Sequence, residues 1–280
     1  MREIQYSDIV EAVRALCIEA NCQLPADVKA AIRAAKDAEE SSVGRAILGD
    51  LEENFTFAQE RALPICQDTG MAVVFAELGQ ECHIAGGLLS DAVNEGVERG
   101  YVEGKLRLSV VGDPLRRVNT GRNTPAILHL TLVEGDRLRL TVAPKGFGSE
   151  NMTRLKMFTP SATVTDVEDF IVDCVSQAGS NPCPPVIVGV GLGGTSEMAA
   201  LLAKRALLRP EDEHSADPFY ADMERRVLER INALGIGPQG LGGRMTALSV
   251  CILPFGTHIA GLPCAVNLGC HVTRHASAEL

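Results

Sequence analysis

Apolar residues in the first sixty positions recur at spacings of three and four. Val10, Val13, Leu16 and Cys17 form one stripe, so the pattern predicts a helix capped by Ser7 or Asp8. Pro25 opens a second helical segment, PADVKAAIRAAKDAEE, and a third covers SSVGRAILGDLEENFTFAQER. From residue 62 the period changes. MAVVFAEL, LRLSVV, AILHLTLVEG and RLRLTVAP are rich in Val, Leu and Thr with partial alternation, and read as strands. GLLSDAVNEGVERGYVEG and TVTDVEDFIVDCVSQAG read as helices, and Val186–Val190 as a buried strand. Two further helices, SEMAALLAKRALL and FYADMERRVLERINAL, flank the acidic loop PEDEHSADP, and the remainder is rich in glycine. There is no internal repeat and no low-complexity tract. The expected fold class is mixed α/β (α+β), with a helical region over residues 1–61 followed by a mixed-sheet region over 62–280.

Composition narrows the function classes. The chain has 280 residues, enough for a real core without covalent staples. With no Trp, three Tyr and eight Phe, that core must be mainly aliphatic. Twenty-six basic against 36 acidic residues give a net charge of −10, which argues against a nucleic-acid or membrane-surface partner. No apolar run suggests a membrane span, and the opening MREIQYSDIVEAV lacks the pattern of an export signal, so a cytosolic location is expected.

The nine cysteines add chemistry. Complete pairing within one chain is impossible with an odd number, and a reducing compartment favours ligands, nucleophiles or small buried residues. Cys17, Cys174 and Cys251 fall in apolar patterns and read as core. Three others sit in loops shaped by proline or glycine: Cys66 in PICQDTG, Cys183 in NPCPPVIVGVG and Cys270 in NLGCHVTRH. PICQDTG alone could be a capped turn, and a cysteine between two prolines could be inert. Three thiolates are one fewer than a closed iron–sulfur cluster uses, which would leave one iron open for Lewis-acid work.

Five segments carry a family resemblance: PICQDTG, LRLSVVGDPLRRVNTGRNTPA, PKGFGSENMTRLKMFTP, NPCPPVIVGVGLGGT and THIAGLPCAVNLGCHVTR. Together, over about residues 5–275, they resemble the alpha subunit of iron–sulfur class I fumarate hydratases, a form shared with L-tartrate dehydratases. The resemblance implies a [4Fe–4S] cluster held by Cys66, Cys183 and Cys270 and one continuous family domain. It implies reversible addition of water to a small dicarboxylate, fumarate giving (S)-malate. It places Gln67 and Asp68 on the substrate, with Asp68 also moving a proton, and Arg107 on a substrate carboxylate. Gly148, Ser149 and Asn151 would line the site, and His258 would stand near a carboxylate. Lys145 and His129 read as structural. Arg122 departs from the family's Asp, and Phe147 from a smaller residue. One-chain members of the family carry a second domain with further catalytic groups, so a beta subunit is the expected partner, with two alpha and two beta chains in the assembly.

Two readings from other classes compete. GVGLGG at 189–194 fits the glycine fingerprint of a dinucleotide fold, with Glu211 roughly 20 residues on, as in a nucleotide-binding oxidoreductase. A non-catalytic scaffold whose thiols hold zinc or nothing is the other. Within the family, L-tartrate dehydratase competes with fumarate hydratase.

Overall fold

The structure, a computed structural model, describes residues 2–280. Strand β1 (Arg2–Gln5) leads into helices α1 (Tyr6–Cys22), α2 (Ala26–Ala38) and α3 (Ser42–Arg61). Then come β2 (Met71–Gly79), β3 (Cys82–Ala85), α4 (Leu89–Glu103), β4 (Ile127–Val133), β5 (Leu138–Lys145) and the single turn α5 (Phe147–Glu150). The remainder runs β6 (Arg154–Phe158), α6 (Val164–Ala178), β7 (Val186–Gly193), α7 (Ser196–Ala206), α8 (Pro218–Asn232), β8 (Ala247–Phe255), β9 (Leu262–Gly269) and β10 (Ala276–Glu279). The chain is mixed α/β, as the sequence pattern predicts, and its first three helices precede the two four-stranded sheets; strand β1, paired with β3, stands ahead of them inside the span expected to be helical. No helix among the described residues is long and apolar enough to cross a membrane.

The chain forms two units. The first comprises residues up to Pro25, Phe55–Phe147 and Arg274–Leu280; the second comprises Ala26–Asn54 and Gly148–Thr273.

The first unit is built on a four-stranded sheet in the order β10-β5-β2-β4. β2 and β4 are parallel, while β5 runs antiparallel to both β2 and β10. The stripe predicted for α1 is its buried face: Ile9, Val10, Val13, Leu16, Cys17 and Ala20 pack with Val93 and Val97 of α4 and with Val74, Leu140 and Val142 of the sheet. The helix starts at Tyr6 after Gln5, without a side-chain cap, so Ser7 and Asp8 lie inside the first turn rather than capping it. His129 stacks on Phe75 with ring centroids 5.2 Å apart, a structural role.

LRLSVV is not a strand. The Asn123 carboxamide oxygen accepts from the backbone N–H of Ser109 at 2.7 Å and of Val110 at 3.2 Å. A side chain thus takes donors that a β ladder would need. Only an isolated bridge, Val111 to Asn119, remains.

In the second unit the sheet order is β6-β9-β7-β8. β7 alternates valine with glycine. Val186, Val188 and Val190 join Ile171 and Cys174 of α6 and Met223, Val227 and Ile231 of α8 in one core. The intervening glycines face α7 across the other side. A Cβ on Gly189 would stand 2.2 Å from the Ala203 carbonyl, and one on Gly191 1.9 Å from that of Ala199. The glycines let a helix lie directly on the strand, which accounts for the fingerprint-like run without a nucleotide. β9 pairs with β7 and β6 and is buried along nearly its whole length, although its sequence, LPCAVNLG, hides among glycine-rich loops.

Candidate functional site

In the first unit the PICQDTG loop joins α3 to β2 and is tied down residue by residue. Ile65 is buried, and its N–H donates to the Asn21 carbonyl at 2.9 Å. Tyr101, buried in α4, donates its hydroxyl to the Thr69 carbonyl at 2.8 Å. The Asn123 amide donates to the Gly70 carbonyl at 3.1 Å. Buried Arg274 donates through Nη2 to the Asp68 carbonyl at 2.7 Å and through Nε to Asn21 Oδ1 at 3.2 Å. A loop anchored on this many buried donors holds its side chains in fixed directions.

Four candidate residues share this framework. Cys66 is half-buried, and its thiol donates to Gln67 Oε1 at 3.5 Å. Gln67 is exposed. The Asp68 carboxylate accepts from the Gly70 N–H at 3.0 Å through Oδ1 and from the Phe147 N–H at 2.9 Å through Oδ2. Arg107 docks its backbone on Thr69, whose Oγ1 accepts from the Arg107 N–H at 2.9 Å and donates to its carbonyl at 3.3 Å. Its side chain is exposed. One threonine therefore couples the acidic loop to the arginine segment. Arg122 is exposed, 3.7 Å from Glu98, and Phe147 contributes its backbone to Asp68 while its ring is largely open to solvent. Lys145 is buried at the end of β5.

The second unit holds the other six. Cys183 is exposed, with φ of +54°, in the turn before β7. Its carbonyl lies 2.9 Å from His271 Nδ1, in the turn after β9 that carries half-buried Cys270. The segment with Gly148 and Asn151 lies against the same turn: a Cβ on Gly148 would stand 3.3 Å from the Asn181 carbonyl, and Asn181 Nδ2 lies 3.7 Å from Met152 Sδ. Ser149 is buried and Asn151 exposed. Glu150 anchors this segment through Lys204 at 2.5 Å and Asn267 at 2.8 Å. His258 stands apart. It is exposed in the β8–β9 turn, its Nδ1 accepts from the Ala260 N–H at 3.1 Å, and no hydrogen bond joins it to the other candidates among the described residues.

Burial sorts the thiols. Desolvation pushes Cys17, Cys174 and Cys264 up to about 12 and Cys251 up to about 11. Such thiols stay protonated and are poor ligands. Cys66, Cys183 and Cys270 are reachable from solvent, as a thiolate donor set for an iron–sulfur group requires, and Cys82 in β3 is also part-exposed. No group of three or more His, Cys, Asp or Glu side chains is placed to hold a metal ion among the described residues. Tyr101, Asn123 and Arg274 were invisible in the sequence as supports of the PICQDTG loop, because each acts on a backbone group distant along the chain.

The chain matches the sequence model of the fumarate hydratase (fumerase) family over residues 10–279. It is 40% identical, over 96% of both chains, to a Methanocaldococcus jannaschii protein named "Putative L(+)-tartrate dehydratase subunit alpha". It is 34% identical to the L(+)-tartrate dehydratase subunit alpha of Escherichia coli strain K12, over 91% of this chain and 85% of that one. The match to the protein of that name from Escherichia coli strain UTI89 is also 34%, over 92% and 86%. A match of this length defines the class: the chain belongs to the fumarate hydratase family, whose members are hydro-lyases. Its relatives within that family are alpha subunits.

Proposed function

We propose that this chain is the alpha subunit of an iron–sulfur hydro-lyase that hydrates fumarate reversibly to (S)-malate. The observation that carries the reading is the family match along residues 10–279. The three loop thiols, solvent-accessible where five other cysteines are sealed in the core, support it. In this reading Cys66, Cys183 and Cys270 hold a [4Fe–4S] cluster, which when bound supplies a Lewis-acidic iron with one position open to substrate oxygens.

The chain's own residues do the rest. The Arg107 guanidinium pairs with one substrate carboxylate, for which its planar fork is suited. Gln67 orients the substrate beside it. Asp68 moves the proton at the carbon next to the hydroxyl-bearing one, its carboxylate aimed by the N–H groups of Gly70 and Phe147. Gly148, Ser149 and Asn151 line the site, with His258 near the other carboxylate. A beta subunit supplies the remaining groups, in an assembly of two alpha and two beta chains.

The names of the relatives favour a second reading, L-tartrate dehydration. Tartrate carries one more hydroxyl than malate, so the choice rests on polar groups around a single oxygen. Anaerobic co-purification with the beta subunit, followed by parallel assays on fumarate, malate and both tartrate enantiomers, tests both. Turnover of fumarate and malate supports the first reading, turnover of L-tartrate alone the second. Absence of turnover on all four refutes both.

A further inference from the structure

Three turns of the second unit meet at one imidazole. The first carries Cys183, whose left-handed backbone is unfavourable for a residue with a Cβ. Something must hold it there. Its N–H donates to the Ser180 carbonyl at 3.0 Å, and its carbonyl lies 2.9 Å from His271 Nδ1 and accepts from the His271 N–H at 3.4 Å. A carbonyl can only accept, so the proton on the imidazole sits on Nδ1. The second turn, Pro238–Gly240, carries Gln239, also left-handed at φ +53°. Its N–H and its Nε2 both donate to the Pro184 carbonyl at 2.8 Å, and the same Nε2 lies 3.1 Å from His271 Nδ1. The third turn carries Cys270. Its carbonyl accepts from the Thr273 N–H at 2.9 Å and from Thr273 Oγ1 at 2.8 Å. The tightness of that turn needs glycine at 269, where a Cβ would stand 2.0 Å from Thr273 Oγ1.

We infer that His271 is a positioning residue which, through the bonds of its N–H and Nδ1 to the Cys183 carbonyl, locks the turns of Cys183 and Cys270 together and presents their two thiols as a preformed pair. The inference rests on the proposed function in taking these thiols as ligands. It goes further in assigning the device that sets them before any inorganic group arrives. Residues behind the ligands that fix ligand direction typically account for 10- to 100-fold in metal affinity. The locking bond runs to the backbone of Cys183, so a side-chain amide able to donate from the Nδ1 position can replace it.

The test uses the reduced, cluster-free full-length chain titrated anaerobically with Cd2+, followed by thiolate-to-cadmium charge-transfer absorption. Wild type binds, and Cys183→Ser and Cys270→Ser each abolish the band. His271→Ala and His271→Leu weaken Cd2+ binding by about 10- to 100-fold. His271→Asn, which keeps a donor where Nδ1 stood, retains wild-type affinity. A role in general stability would lower the melting temperature of all three variants without this ordering. Wild-type affinity in His271→Ala, or His271→Asn no better than His271→Ala, overturns the inference. Should the alanine and leucine variants not fold, His271→Phe decides: it keeps the bulk of the ring without the Nδ1 donor, so weakened Cd2+ binding supports the lock and unchanged binding overturns it. Iron–sulfur reconstitution of the same preparations separates the two levels. Wild type that binds cadmium at the pair but assembles no cluster refutes the proposed function and leaves the lock standing.

Discussion

Glu211, in the segment between α7 and α8, offers a test of the second unit that is independent of any ligand. Its carboxyl is pushed from an ordinary value of 4.5 up to about 7, chiefly by burial. A hydrogen bond with Ser249 opposes the shift, the negative charge of Asp27 on α2 adds to it, Arg209 opposes it and Asp212 adds to it. Cys251 of β8 and Glu224 of α8 complete the surroundings. Glu224 is committed to Arg209 at 2.8 Å and to the Ile252 N–H at 2.8 Å, while Glu211 Oε2 has no hydrogen-bond partner among the described residues. A folded-state value raised above the unfolded one means that the folded chain holds more protons between pH 4.5 and 7. Stability is therefore full below pH 4.5 and falls as pH rises to about 7. At about 1.4 kcal/mol per pH unit, the loss approaches about 3 kcal/mol. Glu211→Gln keeps the shape and cannot ionise. Urea unfolding of both proteins from pH 4.5 to 8 should show the wild type losing stability that the variant keeps, the gap opening between pH 4.5 and 7. Parallel pH profiles for the two proteins would refute the reasoning.

Other perturbations probe the frame and the site. Gly191→Ala puts a Cβ against the Ala199 carbonyl and should cost about 1–3 kcal/mol, lowering the melting temperature by about 2–4 °C per kcal/mol. Arg274→Ala removes one buried and one half-buried hydrogen bond and should destabilise the first unit by about 2–3 kcal/mol in urea unfolding. Arg107→Lys keeps the charge but loses the fork; it should raise KM for the dicarboxylate about tenfold, equivalent to about 1.4 kcal/mol, in steady-state assays of the complete enzyme. An unchanged KM would remove Arg107 from the substrate.

Much of the frame is legible in the residue pattern, and the exceptions have physical causes. The α1 stripe could be read because the helix's burial follows its own period, and Val186–Val190 because a short run rich in β-formers marks a buried strand. β9 could not: a strand buried on both faces has no alternation to show, and LPCAVNLG reads as loop between its glycines. LRLSVV has the composition of a strand, but a carboxamide fourteen residues away in Asn123 takes its donor at Ser109. The three loop cysteines stood out because proline and glycine punctuate their turns. Their supports did not, since Arg274 meets Asp68 and His271 meets Cys183 across 206 and 88 positions of sequence. Local pattern carries no trace of such distant pairing.

The central claim is that Cys66, Cys183 and Cys270 together hold a cluster with an open iron. Anaerobic reconstitution of the full-length chain with iron and sulfide, read by bound iron, bound sulfide and visible absorption, tests it most directly. The account predicts a [4Fe–4S] complement in the wild type, lost in each of Cys66→Ser, Cys183→Ser and Cys270→Ser and retained in Cys251→Ala. A cluster that survives all three serine variants, or a wild-type chain that takes up none, would contradict it.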